Sequence, residues 1–178
     1  MKKVTVAVAS ILIVAGSAMA AKPINLSITP GVALYNRHER IDGVVIGLWS
    51  ENPQRALSLG IVNGSTGQSA GFSWALLLNY ADDYTGIHWA PINYTTGDFL
   101  GWQGGIVNYT RGTMQGLQSG MVNYAGSLTG VQLGLVNYAG TAQSGLQVGL
   151  INLIPSNEWF TGLPHELAPG MVFVNWRL

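Results

Sequence analysis

The chain has 178 residues, no cysteine and an even balance of eight basic and eight acidic side chains. That excludes disulfide stapling, thiolate metal sites, a lipidated cysteine and the basic footprint of a nucleic-acid binder. The length suits one domain with a sizeable core, held by packing and hydrogen bonds alone.

Residues 1–20 read as a signal peptide that is removed. Lys2 and Lys3 form a basic start, Val4 to Val14 an apolar run, and Ala18-Met19-Ala20 a small-residue cleavage site. The apolar run is too short to span a bilayer, which takes about 20 residues. The mature chain is expected to begin at Ala21, with six basic and eight acidic residues and a net charge of about −2. Residues 21–41 read as an N-terminal cap, with one strand-like run at Asn25–Thr29 and a charged run from Arg37 to Asp42.

From 42 to 153 one phrase repeats. Its clear copies are Gly101-Trp-Gln-Gly-Gly-Ile-Val-Asn108-Tyr, Gly116-Leu-Gln-Ser-Gly-Met-Val-Asn123-Tyr, Gly130-Val-Gln-Leu-Gly-Leu-Val-Asn137-Tyr and Gly145-Leu-Gln-Val-Gly-Leu-Ile-Asn152-Leu. Worn copies precede them at Gly43, Ala56, Gly71 and Gly86, making eight units. The unit at Gly71 holds one extra residue, which predicts a bulge. The unit at Gly86 carries His88 for Gln, and Pro91, whose missing N–H predicts interrupted pairing. Such a fixed short period marks a repeat architecture. Between Phe99 and Leu153 the only charge is Arg111, while Val, Ile, Leu and Tyr are abundant, so the units read as strands rather than helices. By strict alternation Leu146, Val148, Leu150 and Asn152 share one face, opposite Gln147, Gly149 and Ile151. On that reading the asparagines are buried and Gln118 lies on the surface.

The fold class is all-β, as a short-period repeat array. A parallel β-solenoid is favoured, and a small antiparallel outer-membrane β-barrel is the alternative. Three apolar residues per unit fall short of the ~25 Å band a barrel shows to lipid. From Asn63 the asparagines step by 16, 14, 15, 15, 14 and 15 residues, leaving almost no net stagger for barrel closure. Stacked coils would bring these amides into a ladder, with the tyrosines beside them in an aromatic column. Trp49, Trp74, Trp89 and Trp102 read as core or interface. Residues 154–178 break the period and form a C-terminal cap and strand, alternating at Val172, Val174, Trp176 and Leu178.

The Gly-x-Gln-x-Gly-x-Val-Asn-Tyr-Ala units resemble the bacterial exported "surface repeat" family. So does the ending from Asn157-Glu-Trp-Phe160 through Leu167-Ala-Pro-Gly to Val174-Asn-Trp-Arg-Leu. The resemblance implies an envelope context and no catalytic residue. The chain itself agrees: no phosphate loop, nucleophile elbow or zinc-protease motif is present. His38-Glu39 and His165-Glu166 read as turn or cap residues, and His88 as an outward strand residue. Asp82, Asp83 and Asp98 read as turn formers before calcium ligands. No catalytic, cofactor-binding or metal residue is assigned, and no enzyme is expected. The expected role is that of an exported envelope repeat protein, located in periplasm, outer membrane or cell surface, with a structural or surface-interaction function. Its partner would be an envelope protein or glycan, with outer-membrane association open; a membrane pore is the alternative.

Overall fold

The computed structural model describes residues 22–178, so the signal peptide and its cleavage site lie outside the described residues. Ten strands make one sheet: β1 (Lys22–Thr29), β2 (Val32–Ala33), β3 (Ile41–Asn52), β4 (Gln54–Trp89), β5 (Ile92–Thr95), β6 (Phe99–Gly104), β7 (Val107–Ser119), β8 (Val122–Leu133), β9 (Val136–Leu153) and β10 (Gly170–Arg177). From β3 to β9 every pairing is parallel. Each residue lies beside its equivalent one repeat later, as Asn108↔Asn123 and Gly116↔Gly130. This is a parallel β-solenoid. The barrel alternative falls, because its neighbouring strands would have to run antiparallel.

Eight coils begin at Ile41, Gln54, Ser69, Tyr84, Phe99, Met114, Leu128 and Ala142, all buried. In the seventh, 128–133 form one flat side, Gly134 and Leu135 bend the chain, and Val136 to Ala139 run back along the second side. At about 4.8 Å per coil the stack is roughly 34 Å long.

A glycine column holds the coils this close. Gly86, Gly101, Gly116 and Gly130 take φ of 135°, 134°, 121° and 134°, a region that favours glycine. A Cβ at Gly101 would strike the carbonyl of Gly86, and one at Gly116 that of Gly101.

The extra residue near Gly71 is absorbed at the bend between Ser73 and Asn79, where Leu76 and Leu77 are both exposed. Pro91 also falls at a bend, and its carbonyl still accepts from Ile106 and Val107 at 2.9 Å each. The strands on either side of Pro91 stay paired with their neighbours; what is lost is the single bond that its equivalents Ile106, Met121 and Leu135 each donate to the preceding bend. At the N-terminal end β1 pairs parallel with β3 and β2 turns back antiparallel on β1. At the other end 154–169 fold beneath the last coil, and β10 runs antiparallel along β9.

Candidate functional site

Four inward columns fill the stack. One begins the coils and includes Tyr84, Phe99, Met114 and Leu128; a second holds Thr95, Thr110, Ala125 and Ala139. The other two are amides. Asn108 donates to Asn123, Asn123 to Asn137 and Asn137 to Asn152, each at 2.8 Å. The second proton of each amide goes to a bend carbonyl of the next coil, as Asn123 to Leu133 at 2.9 Å. The expected asparagine ladder is present.

The face assigned to glutamine is corrected. Gln103, Gln118, Gln132 and Gln147 are buried as completely as the asparagines. Gln118 donates to Gln103 at 2.8 Å, Gln132 to Gln118 at 2.7 Å and Gln147 to Gln132 at 2.8 Å. Gln118 also crosses its own coil to the Tyr124 carbonyl at 3.1 Å, tying the two sides together. The cause lies at the bend. Gln147 and Asn152 are five residues apart, so uninterrupted alternation would set them on opposite faces. Leu150 and Ile151 instead both point outward, which resets the parity. A backbone carbonyl only accepts, so it fixes which way each amide faces. Asparagines thus donate toward the C-terminal end and glutamines toward the N-terminal end.

His88 stands in the glutamine column, buried rather than outward as expected. Neither ring nitrogen has a partner, nor has the nearby Tyr84 hydroxyl. The His88 ring packs 4.0 Å from Tyr84 and 5.1 Å from Phe99. Burial pulls its pKa down to about 3, so the ring is neutral near pH 7. The acidic turn residues are spent on structure. Asp83 accepts the Asp98 N–H at 2.8 Å, Asp82 that of Gly67 at 2.8 Å, and Asp98 that of Thr113 at 2.6 Å. Among the described residues no group of three potential metal ligands is gathered. His38 and His165 are exposed, Glu39 pairs with Lys22, and Glu166 with Arg177.

With its amides turned inward, the protein shows water its apolar residues. Ile106, Met121, Leu135 and Leu150 are exposed along the bend, and Ile92, Val122 and Ile151 just beyond it. On the second side Tyr94, Tyr109, Tyr124 and Tyr138 stack with centroids 5.2, 4.5 and 5.1 Å apart. On the first side Trp74 and Trp89 are exposed, with Trp102 half-buried and 5.4 Å from Trp89. None of Trp49, Trp74, Trp89 or Trp102 is core. The aromatic column starts at Tyr80, whose ring lies where a side chain at Gly64 would sit. Its hydroxyl donates to Glu51, which also pairs with Arg37, and accepts from the Trp49 indole at 3.0 Å. Burial, and then the Glu51 carboxylate, push the Tyr80 phenol up to about 12.

These features define a parallel β-solenoid with a hydrogen-bonded amide interior and an outward aromatic and aliphatic face. No protein-family profile, curated protein or solved structure matches the chain.

Proposed function

We propose that this is an exported cell-envelope repeat protein with a structural or surface-interaction role and no catalytic one. The observation that carries this reading is the outward apolar face. A solenoid that served only as a scaffold in water would set these residues inside and its amides outside. Here eight coils hold a rigid, regular display of Leu, Ile, Val, Trp and Tyr toward a partner. The basic start and small-residue site before Ala21 support export, and the likeness of the units to the bacterial surface-repeat family supports the envelope setting. Cells expressing the chain should carry it in the periplasm, outer membrane or surface fraction, with Ala21 first by mass spectrometry. Intact Met1 in the cytosolic fraction would overturn the reading.

A further inference from the structure

The bend edge forms one continuous ridge. It runs through Leu48, Met121, Leu135 and Leu150, and both caps extend it. Ile28 follows the Ser27–Gly47 pair at one end, and Phe173 pairs with Gly149 at the other. Phe173 holds φ of 68°, costly for a bulky residue, and the residue is 69% exposed. The chain thus keeps a strained backbone that turns an aromatic ring out at the ridge.

Three observations say what covers this edge. The first is charge. Of the fourteen charged residues after residue 21, none lies on the ridge. Lys22, Arg37, Glu39, Arg40, Asp42 and Glu51 sit at the N-terminal end, Glu158, Glu166 and Arg177 at the C-terminal end, and Arg55, Asp82, Asp83, Asp98 and Arg111 on the side away from the bends. The second is the backbone. At the bends Gly120 donates to Leu133, Met121 and Val122 to Ile106, Gly134 to Val148, and Leu135 and Val136 to Met121, at 2.9–3.0 Å. The hydroxyl of Ser119, beside the ridge, takes the Trp102 indole N–H at 2.8 Å. Donors that would otherwise require water are already satisfied there, so the edge can leave water without orphaning them. The third is shape. The apolar surface wraps both sides of a convex edge, so a flat partner or a second ridge covers only one flank, whereas a fluid apolar medium covers all of it. Tryptophan on one flank and tyrosine on the other follow the apolar edge, with charge beyond them, the order found across a bilayer interface.

We propose that the ridge inserts into the headgroup–acyl boundary of a lipid bilayer, with the solenoid axis lying in the membrane plane. From bend to tyrosine column is three residues, roughly 10 Å of strand, which matches the 5–10 Å depth of interfacial elements. An open groove lined by Leu26, Ile28, Val32, Leu34, Ile46 and Leu48 gives the N-terminal end of the ridge room for the tip of an acyl chain. With a net charge of about −2 the mature chain gains nothing from anionic lipid, so binding is apolar and insensitive to salt. This inference rests on the surface-interaction reading above and names the surface.

The test is flotation of the purified mature chain with zwitterionic phosphatidylcholine vesicles in low and high salt. The protein should float equally in both, and vesicles brominated in their acyl chains should quench its tryptophan fluorescence. The triple variant Met121→Asp, Leu135→Asp, Leu150→Asp, with its melting curve as the folding check, should lose at least about tenfold in vesicle affinity. Arg111→Asp, on the far edge, should bind as the parent does. The quenching measurement needs no variant, so it decides even if the triple variant fails to fold. A parent that neither floats nor is quenched overturns the lipid assignment. If that protein self-associates and Leu135→Asp breaks the association, a second copy is the partner and the surface-interaction reading stands. A monomer that binds neither vesicles, itself nor envelope material overturns both.

Discussion

Replacing one amide strands more than one group. Leucine at Asn123 would leave Asn108 without its acceptor and Asn137 without its donor. Leucine at Gln118 would strip Gln132 of its acceptor and Gln103 of a donor. Each unsatisfied group costs about 1–3 kcal/mol, so urea unfolding should place both variants several-fold beyond an ordinary surface change. A neutral Gln118→Leu would mean that glutamine faces out. His88 is the one ring in an otherwise amide and hydroxyl stretch, and it makes stability depend on pH. Its folded pKa of about 3 lies below the ~6.5 of an unfolded histidine. Between those values the unfolded chain takes up a proton that the folded chain refuses. The stability is therefore intact above about pH 6.5 and falls by about 1.4 kcal/mol for each unit below it, until pH 3. His88→Gln should remove that slope: unfolding compared at pH 7 and pH 4.5 should show the parent losing about 2–3 kcal/mol more than the variant. Equal losses would show that His88 reaches water.

In-register pairing makes each coil depend chiefly on its two neighbours. Deleting 130–144 joins Thr129 to Gly145, residues whose partners occupy the same columns. The shortened protein should stay soluble with an unchanged β-type circular dichroism spectrum. Collapse into aggregates would show that coil order matters beyond nearest neighbours. This modularity was legible in the sequence, because Gly, Gln and Asn recur with the coil itself. The asparagine ladder and the tyrosine stack followed from period alone. What alternation hid was the bend. A strand pattern counts in twos, and nothing in Gly134-Leu135-Val136 announces that two consecutive residues face outward. The five-residue interval from Gln to Asn was the available signal: two polar columns at an odd spacing, with paired apolar residues between them, fit one interior only around a corner. The same slip hid the outward apolar edge, since leucine, isoleucine and valine are ordinarily read as core.

At the scale of the whole molecule, polarity is arranged across the coil and constant along the axis, so the edge has one chemistry from Ile28 to Phe173. Charge is kept to the two ends and the far side, where Arg177–Glu166 at 3.3 Å and Lys22–Glu39 at 3.4 Å mark the caps. Parallel stacking, however, sets no length of its own. The top of one coil fits the bottom of the next, a head-to-tail contact that never closes, and such contacts propagate into fibres. The last strand answers this. Because β10 runs opposite to β9, it offers an incoming parallel coil the wrong direction, and the amide it sets beside Gln147, that of Asn175, is already spent on the Asn152 and Ala168 carbonyls. The protein is in effect one segment of a filament with a terminator built into its own chain, and its length is set by how many coils the gene encodes before that reversal.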